Sequence, residues 1–490
     1  MDIIVIGAGL GGLATACLLA SKGHGVTIFE RNQRPGGKIG EIESHGFRFD
    51  TGPSLLTMPS VLESFFLNCG HSIHNFLSIE PVDPICRYFF NSGVEFDCHR
   101  KEAVNIAQIQ NFAPQDVQAY QDFLKYSQEL YQRTKESFLF NPLYGWSDFR
   151  SLNWTDFSKI DAFKTVAQRI EKQFNSPELQ QFFERFPTYN GSSPYQAPAT
   201  MNIIPYIALN RGGYYIKGGI YRLVDALINL ADSMEVSIKT DIDIQSVTTQ
   251  NNSVTGVKDS QGRQYHADIV VSNADAHITY RQILNSNNLS HIQKKKLDIA
   301  EPSSSAFVLL LGVERQYSQL SHHNIFFSDD YRNEFKQIFT KKIMPDNPTI
   351  YISNTSHSDP DHAPEGASNL FILVNAPYVN ENWYWQNNKE KYRDKVIQIL
   401  EKRGLIELKK HITFSKTLTP KHFFNRYRSY KGSIYGTSSN SKWSAFLRPR
   451  NKSRKIEGLY LVGGSTHPGG GIPLVLLSAL HATELIQRYE

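Results

Sequence analysis

A glycine-rich turn between two apolar segments, within the first thirty residues, constrains the fold of this chain more than any other feature. The sequence opens with MDIIVIGAGLGGLATACLLASKGHGVTIFE, in which the apolar run at 3–6 predicts a strand buried on both faces. Gly7, Gly9 and Gly12 follow directly, and an apolar helix and a second strand at 26–29 come next. This order of strand, turn, helix and strand predicts the start of a doubly wound α/β domain.

The spacing of the glycines and the first acidic residue after them indicate a dinucleotide site. Gly7 and Gly9 allow a sharp turn and a close approach of backbone to a pyrophosphate, and Gly12 allows the following helix to pack tightly on the sheet. Glu30 ends the second strand. A carboxylate at this position can accept a hydrogen bond from a ribose hydroxyl and would repel a 2′-phosphate. We therefore predict that this segment binds a dinucleotide.

The segment after Glu30 distinguishes a flavin from a nicotinamide. The stretch RNQRPGGKIGEIESHGFRFDTGPSLLTMP has a glycine pair and Lys38 where a nicotinamide dehydrogenase would continue with another strand and helix. Residues 47–50 alternate in polarity, which predicts a strand ending in the turn at 51–54. A surface hairpin is the alternative interpretation of this segment.

The C-terminal stretch GLYLVGGSTHPGGGIPLVLLSALHATELIQ supplies a second glycine-rich turn. An apolar strand is predicted at 459–462, and five glycines between 463 and 471 lead into an apolar helix from about Pro473. Closely spaced glycines let backbone amides approach a flat group, and the helix N-terminus can face an anion. An ordinary glycine-rich loop is the alternative.

Composition excludes several classes of protein. A chain of 490 residues exceeds one usual core and predicts two or three domains. The 52 basic and 47 acidic residues leave a net charge of +5, which does not favour nucleic acid. The four cysteines show no metal-ligand spacing, so we predict no metal site and a reducing, cytoplasmic compartment. The early glycine motif leaves no room for a signal peptide, and no apolar run is long enough to span a bilayer.

At the level of whole motifs, the chain resembles the bacterial carotenoid desaturases of the phytoene desaturase type, within the flavin amine-oxidase-like superfamily. The segments that carry the resemblance are GFRFDTGPSLLTMP, FPTYNGSSPYQAPATMNIIPYI, GGYYIKGGIYRLVDAL, VVSNADAHITYRQIL, LSHHNIFFSDDYRNEF and YLVGGSTHPGGGIPLVLLSA. Many phytoene desaturases have Ala where this chain has Gly464 and Gly470. The form found here is similar to hydroxycarotenoid or γ-carotene 3,4-desaturases and to diapocarotenoid oxidases.

The resemblance implies an α/β (α+β) fold with three parts. A discontinuous Rossmann-like FAD-binding domain is expected at 1–75, 215–290 and 450–490, a mixed-sheet substrate domain at 76–110 and 291–449, and a helical, membrane-facing cap at 111–214. The expected FAD contacts are Gly7, Gly9, Gly12, Glu30, Arg31, Gly37, Lys38, Gly52, Pro53, Ser54, Val247, Asn273, Gly463, Gly464, Gly470, Gly471, Ile472 and Pro473.

The activity implied is FAD-dependent desaturation of an acyclic, hydroxylated or γ-type carotene by hydride transfer to the flavin, with oxygen or a quinone as electron acceptor. The enzyme would lie on the cytoplasmic face of the inner membrane. Correspondence with the family makes Asp148 and Arg150 candidates for acid–base chemistry, with a surface ion pair as the alternative. His467, beside the second glycine cluster, is a further candidate, and a loop-stabilising hydrogen bond is its alternative role.

Other functions are compatible with the same scaffold. A polyene isomerase, a terminal-methyl oxidase or an amine oxidase would use the same cofactor site, and a non-enzymatic prenyl-binding escort protein would share the architecture. Complete glycine motifs at both ends and Glu30 argue against the escort protein. Aromatic residues between 146 and 195, interleaved with Arg and Lys, predict either a surface that dips into lipid headgroups or ordinary helix cores.

Overall fold

The computed structural model describes residues 1–135, 139–141, 161, 163–284, 295, 297, 299–382, 385–441 and 448–490, which form the mixed α/β architecture predicted from the sequence. Within them the strands are β1 (Asp2–Ile6), β2 (Gly25–Phe29), β3 (Glu41–Ser44), β4 (Phe47–Asp50), β5 (Ile79–Val82), β6 (Cys86–Phe89), β7 (Glu95–Cys98), β8 (Gly213–Ile216), β9 (Ser237–Lys239), β10 (Ile244–Gln250), β11 (Ser253–Asp259), β12 (Gln264–His266), β13 (Ile269–Ser272), β14 (Ser305–Val313), β15 (His323–Phe326), β16 (Ile350–Asn354), β17 (Ser368–Ala376), β18 (Ile412–Leu418) and β19 (Leu459–Leu461). The helices are α1 (Leu10–Ala20), α2 (Pro59–Asn68), α3 (Glu102–Phe112), α4 (Val117–Lys135), α5 (Val166–Glu171), α6 (Pro177–Glu184), α7 (Ile203–Asn210), α8 (Tyr221–Ser233), α9 (Ala276–Ile278), α10 (Tyr331–Phe335), α11 (Trp385–Lys402), α12 (Pro420–Tyr427) and α13 (Ile472–Tyr489).

The first glycine motif lies in a five-stranded parallel sheet with the order β19-β13-β1-β2-β9. On one face of this sheet, α1, α8 and α13 pack together through Leu13, Leu227 and Leu476. On the other face, Ile4 and Ile6 of β1 join a second apolar cluster that includes the three-stranded sheet β10-β11-β12. Both faces of β1 are therefore covered, which explains its unbroken apolar sequence. The sheet joins strands from the beginning, the middle and the end of the chain, and the residue boundaries of the three domains stay a prediction.

A second, mixed sheet has seven strands in the order β18-β14-β17-β16-β15-β6-β7. Neighbouring strands are antiparallel except β15 and β6, which run parallel. Strand β14 is apolar throughout because it too is covered on both sides. Phe307 packs against α11, where its ring stacks on Trp385 at 5.4 Å, whereas Ala306 and Val308 face the opposite side. That opposite side forms part of the wall of a large cavity.

The helical region after residue 110 has a buried aromatic core. Three of its residues belong to the segment for which the sequence predicts either a lipid-facing surface or ordinary helix cores. Phe182 and Phe183 on α6, and Phe186 just beyond it, are buried in one cluster. Of the two alternatives for this region, helix-core packing is therefore correct at these positions, because α6 is amphipathic and turns its aromatic face inward. Phe163, in contrast, is 75% exposed. The cap residues at 142–160 lie outside the described residues.

Helix α5 begins at Val166 and ends at Glu171. Thr165 starts the helix because its hydroxyl accepts a hydrogen bond from the Gln168 N–H, while the Gln168 side chain accepts from the Thr165 N–H. This reciprocal capping box satisfies two amide groups that would otherwise lack partners at a helix N-terminus.

The described residues contain no helix that combines the length and the apolar character needed to cross a bilayer. All four cysteines, Cys17, Cys69, Cys86 and Cys98, are buried free thiols. Burial raises the pKa of the Cys86 thiol to about 11, so this group is a protonated, apolar packing residue at neutral pH.

Candidate cofactor and substrate site

A cavity of about 460 Å³ opens where the carboxyl ends of the parallel strands meet the mixed sheet. Its wall brings together Gly7 from the first glycine motif, Asn273 after β13 and Gly463 after β19. Parallel strands place all their carboxyl ends at one edge of a sheet, so these loops meet although hundreds of residues separate them in the sequence. Such an edge is where open α/β sheets bind ligands.

The first glycine motif is held tightly against its neighbours. A Cβ at Gly12 would lie 2.1 Å from the Gly7 carbonyl oxygen, so only glycine lets α1 pack against the end of β1. A Cβ at Gly9 would lie 2.6 Å from the Asn273 Nδ2 atom. Gly7 and Gly9 line the cavity, whereas Gly12 does not and acts through packing. The backbone at Gly9 and at the start of α1 is therefore open to a phosphate group.

Glu30 lies at the end of β2, is 4% exposed and lines the cavity beside the glycine loop. Its carboxylate accepts hydrogen bonds from the Ala8 N–H at 2.8 Å and from the Asn32 backbone N–H at 2.8 Å. The Asn32 side-chain amide donates a third bond at 2.6 Å. These bonds hold the carboxylate in one orientation at the cavity wall, where it can accept a ribose hydroxyl.

Two cations face the same cavity. Among the described residues, no group bonds to the Arg31 Nη1 atom, which is buried and is therefore a donor available to an acceptor oxygen in the cavity. Lys38 Nζ donates to the carbonyl oxygens of Ser433 at 3.3 Å and Ile434 at 3.0 Å. Burial lowers the pKa of the Lys38 ammonium, while Asp275 acts in the opposite direction. The set of donors fits an anionic dinucleotide such as FAD.

Most of the other residues predicted to contact the cofactor lie in the wall of this one cavity. They are Gly37, Gly52, Pro53, Ser54, Asn273, Gly463, Gly464, Gly470, Gly471, Ile472 and Pro473. Helix α13 begins at this wall with Pro473 in its first turn, and the Ser478 hydroxyl accepts the Gly463 N–H at 2.9 Å. Backbone from both ends of the chain is thereby fixed around one space.

Beyond the glycine loops the cavity wall becomes apolar. The mixed sheet contributes Val308 from β14, Ile325 from β15, and Phe371 and Leu373 from β17. Val308 pairs with Leu373 on the adjacent strand. Tyr351 of the intervening β16 pairs with both Leu373 and Ile325, so the side chains form a continuous, mainly apolar surface. A surface of this kind binds a ligand mainly by removing apolar area from water.

One hydrogen-bonded row links the turn at 51–54 to strands β16 and β15 of the mixed sheet. The Tyr351 hydroxyl lies 2.5 Å from Ser54 Oγ and 2.8 Å from His323 Nδ1. Burial, reinforced by His322 and Arg185, lowers the pKa of His323 well below its ordinary value, so the imidazole is neutral. Burial also lowers the pKa of His322 to about 3, and His322 Nδ1 bonds to Ser358 Oγ at 2.7 Å. Both imidazoles are therefore neutral, buried and hydrogen-bonded to neighbouring side chains.

Two further predicted site residues lie outside the cavity wall, and one predicted pair lies outside the described residues. Val247 packs in the apolar cluster beneath the parallel sheet and does not line the cavity, whereas Ile242, just before β10, and Ile244, its first residue, do. His467 is also outside the cavity wall: its Nε2 atom lies 3.2 Å from the Asn141 carbonyl oxygen, which matches the loop-stabilising alternative. Asp148 and Arg150 lie outside the described residues.

Arg185 and Tyr435 line the cavity and were not predicted from the sequence. Tyr189, which also lines it, is one of the aromatic residues predicted to form either a lipid-facing surface or helix cores. Arg185 follows α6 in a segment where an arginine at a helix end would normally be solvated, so no local pattern marks it. Tyr435 belongs to a loop without periodicity. Only the tertiary arrangement brings these side chains together.

The parallel sheet and the cavity define the class: a dinucleotide-binding oxidoreductase with a large apolar substrate side. A family model for flavin-containing amine oxidoreductases matches residues 10–487. The 4,4'-diaponeurosporene oxygenase of Staphylococcus haemolyticus is 34% identical over 495 residues, which cover 100% of this chain and 97% of that protein. The protein of the same name from Staphylococcus aureus strain MSSA476 is 35% identical over 497 residues, covering 100% and 98%.

Solved structures show the same fold. An oxidoreductase from Methanosarcina mazei superimposes with a TM-score of 0.67 at 18% identity, covering 99% of this chain and 100% of that one. Cyclohexylamine oxidase from Brevibacterium oxydans gives a TM-score of 0.64 at 13% identity, with 99% of both chains covered.

This chain belongs to the flavin-containing amine oxidoreductase family. It is an FAD-dependent oxidoreductase, as predicted, and its resemblance to the carotenoid desaturase and oxidase branch of that superfamily is confirmed. The cofactor expected from the glycine motifs, FAD, is the one that the family and its fold support.

Proposed function

We propose that this protein uses FAD to oxidise a linear, apolar polyene of the carotenoid class, and that the reaction introduces oxygen at one end of the polyene. The observation that carries this proposal is the continuous apolar wall of Val308, Ile325, Phe371 and Leu373, which runs into the glycine-lined part of the same cavity. The full-length similarity to two 4,4'-diaponeurosporene oxygenases supports oxygenation as the outcome.

We propose that the cofactor is held by the loops described above. Gly7 and Gly9 would contact the pyrophosphate, Glu30 the ribose, and Arg31 an acceptor oxygen of the same molecule. When bound, FAD supplies two-electron oxidation. The second glycine loop, from Gly463 to Gly471, would lie along the flavin ring. This assignment rests on the shared wall and on the donor set, which offers cations and backbone N–H groups to an anion.

The chain itself contributes binding, orientation and exclusion of water. A polyene hydrocarbon has no polar group that could form a hydrogen bond. Its affinity for the protein therefore comes from burial against the apolar wall, at about 25 cal/mol per Å² of apolar surface. The hydrogen bond between Ser54 and Tyr351 ties the turn at 51–54 to the mixed sheet at the cavity wall. Asp148 and Arg150 stay the predicted acid–base groups.

Desaturation of a carotene, the reaction predicted from the motifs, is the second candidate. The features that favour it are GFRFDTGPSLLTMP and the other segments similar to phytoene desaturases. Both reactions begin with removal of hydrogen from the polyene, so the same cavity would serve either. A substrate dissolved in lipid also supports the predicted attachment to the cytoplasmic face of the inner membrane, where the exposed Phe163 beside Lys164 would meet headgroups.

The two reactions differ in the mass of their products. Purified, flavin-loaded protein would be incubated with 4,4'-diaponeurosporene in phosphatidylcholine vesicles under isotopically labelled oxygen gas, followed by chromatography and mass spectrometry. A product that has gained oxygen supports the proposal, and the label shows whether that oxygen atom came from oxygen gas or from water. A product that has only lost hydrogens supports desaturation instead, and an isomer of unchanged mass supports an isomerase. If no polyene is converted and none bleaches the flavin absorbance, the proposal is wrong; the same protein stripped of flavin is the control.

A further inference from the structure

Arg185 is a buried cation in an otherwise apolar and aromatic part of the cavity. It follows α6 directly, is 8% exposed and lines the cavity. Its Nη1 atom donates to the Tyr88 hydroxyl at 2.9 Å, and its guanidinium carbon lies 5.4 Å from the centre of the Tyr88 ring. The rings of Tyr189 and Phe186 are 5.0 Å and 5.9 Å away. We call these four residues the arginine box.

The other residues of the arginine box do not neutralise the positive charge of Arg185. No carboxylate of the described residues forms an ion pair with Arg185, and the groups that act on it are tyrosines and a cysteine. An arginine stays protonated in proteins and carries five N–H donors, of which Tyr88 occupies one and Tyr189 interacts with another. Aromatic faces stabilise the cation only in part. Burying an unpaired charge is costly, so an oxygen acceptor supplied by a ligand would complete the site.

The arginine box lies near the second glycine loop. The Tyr435 ring lines the cavity and packs on that loop, since a Cβ at Gly470 would be 2.9 Å from Tyr435 Cδ1. A Cβ at Gly191, two residues after Tyr189, would lie 2.8 Å from Tyr435 Cδ2. Tyr435 therefore packs between the segment that follows the arginine box and the loop proposed to lie along the flavin.

We propose that the arginine box binds the oxygenated end of a polyene, a terminal carbonyl or carboxylate oxygen, and so holds an intermediate or product of oxidation by its polar end. This inference rests on the proposed function and adds a specificity site to it. The apolar wall would bind the hydrocarbon chain, while Arg185 would donate to the terminal oxygen. Charged donors form stronger hydrogen bonds than neutral ones and suit a planar carboxylate.

The test compares three probes of equal chain length in phosphatidylcholine vesicles: a linear polyene hydrocarbon, the corresponding aldehyde and the corresponding carboxylic acid. Their dissociation constants would be measured by quenching of protein fluorescence in the flavin-loaded full chain. The wild-type protein is expected to bind the acid and the aldehyde more tightly than the hydrocarbon. In Arg185→Met the acid should bind about tenfold to a hundredfold more weakly, since one charged hydrogen-bond partner is lost, while hydrocarbon affinity stays within about twofold.

Arg332→Met is the matched control, because Arg332 lies 4.2 Å over the Tyr195 ring and pairs with Glu171 outside the cavity wall. It should leave all three affinities unchanged. Arg185→Lys should keep part of the affinity for the acid. If the Met variant does not fold, the Lys variant and the wild-type comparison decide the question.

Equal wild-type affinities for acid and hydrocarbon would overturn the inference, as would an equal loss for both in Arg185→Met. A change in flavin content caused by Arg185→Met, with no selective loss for oxygenated probes, would instead mean that Arg185 serves the cofactor, and the inference would be wrong. Failure of the proposed function is recognised separately: the hydrocarbon would not be converted, although selective binding of oxygenated probes would persist.

Discussion

On the side of the parallel sheet, the cavity is lined by backbone at Gly7, Gly9 and Gly463 and by one oriented carboxylate, Glu30. On the side of the mixed sheet it is lined by side chains, and the polar ones are few. The first wall recognises a charged molecule mainly through backbone groups. Almost any sequence supplies such groups, provided that glycines leave them accessible. The second recognises shape and apolar area, so its specificity depends on individual side chains. Mutations in the two walls should therefore have separable effects.

The largest effect is expected for Gly9→Val. A Cβ at Gly9 would lie 2.6 Å from Asn273 Nδ2, and the branched side chain would also occupy the space proposed for the phosphates. The purified variant should contain almost no flavin, as measured by absorbance after denaturation. Gly25→Val is the matched control, because a Cβ there would meet Asp2 Oδ1 at 3.1 Å and the Met1 carbonyl oxygen at 3.9 Å, and Gly25 does not line the cavity. Normal flavin content in Gly9→Val would refute the phosphate-loop assignment.

Glu30→Gln should weaken FAD binding without abolishing it. The amide oxygen can still accept one bond from the Ala8 N–H, but the charge that strengthens the bonds to Asn32 and to a ribose is lost. We expect the dissociation constant of FAD to rise about tenfold, in line with the loss of one charge-assisted hydrogen bond. Titration of flavin-free protein with FAD measures this change. The exposed Glu43→Gln should bind FAD as the wild type does, and an unchanged affinity in Glu30→Gln would argue against a ribose contact.

Leu373→Asn tests the second wall. Replacing this cavity-lining leucine removes apolar area and adds a polar group that an apolar polyene cannot satisfy, so hydrocarbon affinity should fall about tenfold. Flavin content should not change, since Leu373 belongs to the mixed sheet. Leu67→Asn, at a position 67% exposed, is the control for general effects of the substitution. A parallel loss of flavin would show that the two walls do not act separately.

The smallest effects concern the pH dependence of folding stability, which has opposite signs at His481 and at Glu184. Burial, then His467, lowers the pKa of His481 beneath the second glycine loop to about 3, so the folded state holds a neutral imidazole. The resulting stability is complete above the ordinary pKa of 6.5 and is lost as the pH falls below it. Thermal unfolding of His481→Leu should therefore respond less to acidification between pH 6.5 and about 4, and an unchanged response would contradict this role.

Glu184, on the helix next to the arginine box, behaves in the opposite way. Burial raises the pKa of its carboxyl from 4.5 to about 7, although the Tyr195 hydroxyl donates to it at 2.7 Å. Its contribution to stability is present below pH 4.5 and is lost as the pH rises through about 7. In Glu184→Gln, the melting temperature should change less between pH 4.5 and about 7. The exposed Glu43→Gln, which removes none of the groups that shift the pKa of Glu184, should leave this pH dependence as in the wild type.

Local sequence predicted the first wall well because its structural causes are local. Gly12 must pack on Gly7, five residues away, and Glu30 ends the strand that follows the same helix, so the order of residues is enough to place them. Val247 was misplaced for a register reason: the alternating pattern marks a strand but does not say which end of it reaches the cavity.

The sequence by itself determined the glycine turns, the buried strands and the position of the acidic residue at the end of β2, because short-range sterics and apolar periodicity specify them. What only the tertiary structure decided is which distant side chains share the cavity. Arg185 and Tyr435 are 250 positions apart in the chain, and nothing in either local pattern predicts that they face one space. Their meeting follows from the packing of the mixed sheet and α6 against the C-terminal glycine loop, which depends on the whole fold.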